Sequence, residues 1–203
     1  HFAGLYQGMN QKNKTASILS DLNKTINKTA EKVSIQGPNI HSLCSMEQPV
    51  LADNEILIHT GYSRIRQKDI ARMEGTHKYN NAIMYPFTSG SEFSGLITQK
   101  GHLVNQFNVG DKVIGLSRDL ASDITSLNNH DSIKDSSGLW GSHATFVTTT
   151  ESMIRRIQTA IPLLNGIFIE SVSLGLNLVS KIYLDTHTQV CVVGAGYMGN
   201  LIT

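Results

Sequence analysis

The stretch QVCVVGAGYMGNLIT at residues 189–203 constrains the fold of this chain more than any other. An apolar run leads directly into closely spaced glycines, which is the pattern of a buried strand, a tight turn and the start of a helix. In such a turn Gly194 permits the tight bend, Gly196 lets the backbone approach a pyrophosphate, and Gly199 lets the helix pack closely on the strand. The helix N-terminus then offers N–H groups to phosphate. The stretch predicts the opening of a dinucleotide-binding α/β domain.

The rest of such a domain would lie beyond position 203. A βαβ unit takes about 30 residues, and the acidic residue that holds the ribose follows the glycines by about 20 residues. We therefore expect the 203-residue chain by itself to bind NADH or NADPH very weakly or not at all.

The segment before the glycine turn predicts mainly β structure. Residues 1–30 are polar and are interpreted as a linker or extension. Residues 31–163 contain many short apolar runs separated by glycine turns, with a single helical turn near 68–75, which indicates a closed or nearly closed barrel. After Pro162 the apolar spacing becomes helical, and it predicts a helix over 164–182 that links the barrel to the terminal strand and glycine turn. The predicted third part, residues 164–203, is an incomplete nucleotide-binding domain.

Composition excludes several classes of partner. The formal net charge is +1 with scattered basic residues, so no nucleic-acid footprint is present. No apolar run approaches the roughly 20 residues of a membrane span, and the N-terminus lacks a signal-peptide pattern. The two cysteines, Cys44 and Cys191, have no disulfide or metal spacing. We expect a cytoplasmic protein that binds neither nucleic acid nor membrane.

The order of these parts, together with the stretches QPVLADNEILI, GSEFSGLI, FNVGDKVIG, GSHATFV and VCVVGAGYMG, resembles the medium-chain dehydrogenase/reductase family over about residues 31–203. The resemblance implies a GroES-like barrel as the substrate domain and a Rossmann domain for NAD(P). It also implies an oxidoreductase that acts on a small-molecule substrate, either an alcohol or carbonyl compound or an activated alkene.

Zinc-dependent members of this family carry a Cys and a His that bind the metal. The alignment implied by the resemblance places Arg66 at the Cys position and Ser91 at the His position. Neither residue type is a zinc ligand. Glu92 and Glu170 match two family glutamates, but two carboxylates alone make a poor zinc site, and the loop at 117–138, where some members bind a structural zinc, contains no cysteine. We expect no metal and assign Arg66, Ser91, Glu92 and Glu170 to the substrate pocket.

Quinone and enoyl reductases of the family work without metal, and residues 62–71, YSRIRQKDIA, resemble a stretch found in some of them. Hydride would go from NADPH to an activated alkene while a side chain or water supplies the proton. Tyr62, Lys68 and Asp69 are the candidate catalytic residues. The alternative interpretation is that Tyr62 packs at the barrel edge and that Lys68 and Asp69 are solvated charges at a helix start.

The two glutamates also have structural interpretations. Glu92 lies near a glycine bend and could hold that turn, whereas Glu170 on an apolar helix could pair with an arginine. We favour a pairing with Arg66, in which the arginine replaces the charge of the metal ion. Four histidines lack metal-like spacing and are interpreted as ordinary strand or loop residues: His59, His77, His130 and His143.

Two functions follow from these features. The first is an NAD(P)-dependent, zinc-independent oxidoreductase, and the alternative is a non-catalytic binding or assembly module derived from such an enzyme. In either case the apolar segment 165–203 requires cover. We expect it to be disordered in isolation or buried, either in a homo-oligomer or against another part of the same protein.

Overall fold

The computed structural model describes residues 30–76, 85–116, 141–158, 160–183 and 185–202. The predicted extension at 1–30 is outside this range except for Ala30, and so are His77, His130 and the loop at 117–138. The described part is mainly β, which confirms the fold class predicted from the sequence. No described helix has the length and apolar character needed to cross a bilayer.

Within the described residues, eight strands form two antiparallel sheets. The strands are β1 Glu31–Gly37, β2 Ile40–Ser45, β3 Glu55–Ser63, β4 Phe87–Thr88, β5 Glu92–Lys100, β6 Lys112–Leu116, β7 Phe146–Thr150 and β8 Ile154–Arg156. The small sheet has the order β2-β1-β4 and the large sheet the order β7-β3-β5-β6-β8. A bridge between Lys32 and Ala144 connects β1 to the residues before β7, so the sheets curl toward the predicted barrel.

Strand β3 is buried on both faces, and this places it at the centre of the fold. Ile56 and Ile58 point into the larger apolar cluster, while Leu57 between them belongs to a second cluster with Phe146. The ladder between β3 and β5 shifts register between Thr60 and Tyr62. The register shift leaves Gly61 out of the ladder, and a Cβ there would lie 3.2 Å from the Leu163 side chain.

Four helices complete the described structure: α1 Gln67–Glu74, α2 Leu163–Gly166, α3 Ile169–Ser180 and α4 Tyr197–Ile202. The predicted helix over 164–182 is therefore two helices. The break follows Gly166, which packs so closely on β6 that a Cβ would lie 2.4 Å from Ile114 Cγ2, and it places Ile167 in the interior. Helix α3 then leaves the barrel and exposes apolar residues such as Leu176.

The predicted strand at 189–194 makes no ladder in the described part of the chain. Val190 and Val193 are exposed, at 61% and 94% of their surface. A strand exists only through a hydrogen-bonded neighbour, and the described residues supply none for this segment. The glycine turn and the short helix α4 that follow it are present as predicted.

Candidate functional site

The site is built around Arg66, the residue that immediately precedes α1. Its backbone N–H donates to Asp69 Oδ2 at 2.8 Å, so the carboxylate of Asp69 caps the first turn. The helix ends at Gly75, whose φ of 76° is left-handed and suits glycine. Both ends of this eight-residue helix are thus held by local contacts, which fix the direction in which Arg66 leaves the backbone.

The guanidinium of Arg66 joins parts of the chain that are far apart in sequence. It contacts the Glu170 carboxylate in the first turn of α3 and the Ser91 hydroxyl just before β5. Glu92 Oε1 lies 3.7 Å from Nη1, and Asp69 Oδ2 lies 3.7 Å from Nε. The structure thus brings together the four residues that the sequence assigned to a substrate pocket, and it contains the predicted pairing of Arg66 with Glu170.

Glu92 is the most confined member of this group. Its side chain is 2% exposed, and neither carboxyl oxygen accepts a hydrogen bond within the described residues. Its nearest cations are Arg66 at 3.7 Å and Arg64 at 3.6 Å, distances too long for hydrogen bonds. Glu170 instead takes the direct contact with Arg66 and stays 33% exposed. One carboxyl is therefore buried without a donor while the other is paired.

The environment assigns different protonation states to these two carboxyls. Burial raises the pKa of Glu92 to about 8, and the hydrogen bond with Glu170 and the negative charge of Glu170 act in the same direction against the lowering by Arg66 and Arg64. For Glu170 burial is also the largest influence and raises the pKa, but the hydrogen bond from Glu92 and the charges of Arg66 and Lys68 outweigh it, so this pKa is lowered. We place the proton on Glu92, because it is the more deeply buried carboxyl and neither nearby guanidinium is within hydrogen-bond distance of it.

The three predicted catalytic residues lie in different settings. Asp69 is 1% exposed and caps α1, so the interpretation of Asp69 as a solvated charge is wrong: a carboxylate that accepts the helix N–H is drawn inside. Lys68 is half-buried and acts electrostatically on Glu170. Tyr62 is 46% exposed near the end of β3. The structure thus places Lys68 and Asp69 beside the Arg66 group, and Tyr62 at the strand edge.

The interpretation of the histidines as ordinary residues overlooked His143. Its Nδ1 lies 2.9 Å from Ser63 Oγ, and its buried Nε2 has no partner among the described residues. Burial, the largest influence, and Arg66 lower the pKa of His143, while Asp69 raises it. His143 is therefore a neutral neighbour of the site. No local pattern predicts it, because it reaches the site through the backbone bond from its N–H to the Ser89 carbonyl.

Sequence reasoning also missed Arg64. Its Nη1 donates to Ser171 Oγ at 2.9 Å, and its guanidinium carbon lies 3.7 Å from the centre of the Tyr197 ring. Tyr197 stacks in turn on Phe168 at 5.9 Å. Since Tyr197 belongs to the glycine turn, Arg64 connects that turn to the surroundings of Glu92.

The glycine turn has a shape that suits a dinucleotide phosphate. Gly194 has φ of 112°, which L side chains rarely adopt, and added Cβ atoms at Gly194 and Gly196 would meet nothing within 4 Å. A Cβ on Gly199 would lie 1.8 Å from the Gly194 carbonyl oxygen. The three glycines thus perform the tight turn, open approach and close packing expected of them, and these residues fit NAD(P).

Zinc does not fit the residues around Arg66. The guanidinium fills the space between Ser91, Glu92 and Glu170, and no group of three His, Cys, Asp or Glu side chains in the described ranges is arranged to hold a metal ion. A positively charged side chain and a second cation would repel each other at this position.

Comparison with known sequences gives the same picture of the barrel. The family model for the alcohol dehydrogenase GroES-like domain matches residues 52–159, a little over half of the chain. Among curated proteins, the chain is 35% identical over 88 residues to probable polyketide synthase 8/35 of Dictyostelium discoideum, which covers 42% of this chain. The match spans only 3% of the length of that relative.

Many solved structures share the fold, among them three oxidoreductases. The 2R,3R-butanediol dehydrogenase from Bacillus subtilis has a TM-score of 0.68 at 18% identity, over 86% of this chain and 53% of its own. A zinc-binding dehydrogenase from Sinorhizobium meliloti 1021 bound to NADP has a TM-score of 0.67 at 17% identity, over 85% and 51%. The quinone oxidoreductase from Coxiella burnetii has a TM-score of 0.57 at 19% identity, over 74% and 45%. The chain thus spans about half the length of these proteins.

Proposed function

The chain belongs to the medium-chain dehydrogenase/reductase family through its alcohol dehydrogenase GroES-like domain, and from this premise we propose that it is part of a zinc-independent, NAD(P)H-dependent reductase of an activated alkene. The observation that carries the proposal is the guanidinium of Arg66 among Ser91, Glu92 and Glu170. A metal ion that could polarise an alcohol oxygen does not fit there. An activated alkene needs only hydride and a proton.

The curated relatives include probable polyketide synthases, and this likeness is the reason that we propose an acyl group as the substrate. The proposed substrate is an α,β-unsaturated acyl group, in which the carbonyl activates the double bond for hydride addition at the β carbon. The solved neighbours share the fold at identities of 17–19% and include both dehydrogenases and a quinone oxidoreductase, so they support the reductase class without choosing the substrate.

The residues of this chain have separate roles in the proposed reaction. Gly194, Gly196 and Gly199 would hold the pyrophosphate of NAD(P), which supplies hydride when bound. Tyr62 and Lys68 are the proposed donors of the proton to the α carbon, since both keep part of their surface open to solvent. Asp69 was also a candidate, but its buried carboxylate caps α1, and we propose that it positions Arg66.

We expect the protein that contains this chain to transfer deuterium from deuterated NADPH to the β carbon of an α,β-unsaturated acyl thioester. Mass spectrometry of the product measures the transfer. Gly199→Ala should reduce the rate at least about tenfold, because the new Cβ meets backbone rather than a movable side chain. Gly175→Ala is the matched control, since its Cβ meets only side-chain atoms at 3.5 Å or more.

Oxidation of small alcohols, without transfer of deuterium to the alkene, would contradict the proposed alkene substrate. It would leave the assignment to the oxidoreductase class unchanged. Absence of both reactions, in a protein that circular dichroism shows to be folded, would favour the non-catalytic binding or assembly module instead.

The proposal divides the chain into a substrate domain at 31–163 and the opening of a nucleotide-binding domain at 164–203. It also includes a covering partner for the second part, because exposed apolar residues on α3 and in the segment before Gly194 form no core of their own. They are Leu174, Leu176, Leu178, Ile182, Val190 and Val193. We propose a cytoplasmic protein in which another copy or another part of the same protein covers them.

Light scattering of the 203-residue chain is expected to show association, and hydrogen exchange through 189–194 is expected to slow as association increases. A monomer with slow exchange at 189–194 would contradict this expectation, because the segment would then be packed on its own barrel.

A further inference from the structure

We propose that Arg66 is a resident cation that takes the place of a bound metal ion, and that this position accepts a divalent metal only when the guanidinium is replaced by metal-binding side chains. The inference shares the zinc independence of the proposed function but does not depend on the reaction or its substrate. It concerns what holds α3 to the barrel.

The guanidinium lies where acceptors from separate elements meet. It contacts Ser91, which precedes β5, and Glu170 of α3, and it lies 3.7 Å from Asp69 of α1 and 3.7 Å from Glu92 of β5. Ser91, Glu92 and Asp69 are each at most 2% exposed. The arrangement is therefore a shell of oxygen atoms around the Arg66 guanidinium that is buried except at Glu170, which is 33% exposed.

Three carboxyl groups in such a shell require a central positive charge. Like-charged carboxylates a few ångströms apart raise each other's energy, and burial removes the water that would otherwise screen them. The proton held by Glu92 removes one negative charge, and the contact of Arg66 with Glu170 compensates another. The remaining oxygen atoms face the same guanidinium, which therefore supplies the positive charge that a coordinated metal ion would supply.

The second arginine near Glu92 does not have this role. Arg64 Nη1 donates to Ser171 Oγ and its guanidinium lies against the Tyr197 ring, so it faces aromatic surface on one side. Its distance to Glu92 is 3.6 Å, and no other carboxylate is part of its described contacts. Arg64 and Ser171 thus form an arginine–serine pair at the edge of the site, which supplies a matched control for Arg66 and Ser91.

The types of ligand atom at the site determine which metal ion would bind there after Arg66 is replaced. Carboxylate and hydroxyl oxygens alone favour hard cations, whereas a thiolate and an imidazole added to two carboxylates favour zinc or cobalt in tetrahedral geometry. The double substitution Arg66→Cys with Ser91→His removes the guanidinium and supplies both softer ligands beside Glu92 and Glu170. The same exchange at Arg64 and Ser171 places a Cys and a His in the control pair.

Elemental analysis after mild chelation measures the first arm of the test. We expect no stoichiometric zinc in the unaltered chain, about one zinc per chain in Arg66→Cys/Ser91→His, and none in Arg64→Cys/Ser171→His. Cobalt should give a thiolate-to-metal absorption band only in the first variant. One zinc per unaltered chain, or a folded Arg66→Cys/Ser91→His variant that takes up no more metal than the control, would overturn the proposal.

Charge at position 66 provides the second arm, which does not require the double variant to fold. Arg66→Lys keeps the positive charge, and Arg66→Met keeps the length of the side chain without it. We expect Arg66→Met to lower the folding equilibrium constant at pH 7 by about 100-fold or more. The decrease caused by Arg66→Lys should be smaller than this by a factor of at least about ten. Equal stability of the two variants in urea titration would show that no cation is needed and would reject the inference.

Discussion

Replacing Phe93 by alanine is expected to lower the free energy of unfolding by about 3–5 kcal/mol, because it removes a fully enclosed aromatic ring from the centre of the larger apolar cluster. Phe93 is 1% exposed, and its ring lies so close to Gly115 that a Cβ there would be 2.7 Å from Phe93 Cζ. The ladders that join β5 to β6 and β6 to β8 hold these backbones in place, which limits their collapse into the cavity. Urea-induced unfolding followed by circular dichroism measures the change.

Phe87→Ala is the control for this substitution. Phe87 is half-buried on the two-residue strand β4 and contacts Tyr85 at a ring distance of 5.6 Å. Phe87→Ala should therefore lower the free energy of unfolding by less than half as much as Phe93→Ala. Equal losses at the two positions would contradict the assignment of Phe93 to the centre of the core.

Replacing Glu92 by glutamine is expected to remove most of the decline in stability that the unaltered protein shows as pH rises from about 4.5 to about 8. Glutamine keeps the shape of a protonated carboxyl and its capacity to donate to Glu170. The folded protein holds a proton on Glu92 up to a pKa of about 8, whereas the unfolded chain releases it near 4.5. Over that interval the folded state binds more protons, so its stability falls with pH.

The sign of this effect follows from the raised pKa. The stabilising proton on Glu92 is fully present below the unfolded pKa and is lost as pH passes the folded value near 8. At pH 9 we expect the free energy of unfolding of Glu92→Gln to exceed that of the unaltered protein by on the order of 2–4 kcal/mol. This range is reduced for screening and for coupling to Glu170. At pH 4 the two should be similar, because Glu92 is then protonated in both states.

Other groups at the site titrate in both proteins and largely cancel in the comparison. The pKa values of His143 and His59 are lowered mainly by burial, so they favour stability as pH rises, opposite to Glu92. Glu170→Gln is the informative control, because it removes the partner of Arg66 and should destabilise the protein at neutral and alkaline pH, an effect that is lost as pH falls through the lowered pKa of Glu170. Parallel stability curves for the unaltered protein and Glu92→Gln would show that Glu92 is ionised in the folded state.

Much of the architecture was predictable because it depends on neighbours in sequence. The consecutive apolar residues of β3 and the glycine that ends α1 each indicate their local conformation within a few positions. The glycine turn is equally local: Gly194 needs its positive φ and Gly199 its missing Cβ within one turn of chain. The helix predicted over 164–182 is two helices in the structure, because Gly166 packs against β6. Local periodicity does not predict this contact.

The residues of the site could be identified from the sequence, but their protonation states and their charge pairing depend on the tertiary structure. Arg66 and Glu170 could be proposed as partners from their chemistry, yet the contact spans 104 positions and exists only because α3 returns to the barrel. The proton on Glu92 depends on how deeply β5 is enclosed, and the neighbourhood of His143 depends on its bond to Ser89 across the barrel. Burial and distance between remote segments set pKa values and charge pairing, and neither quantity is a property of a short stretch of sequence.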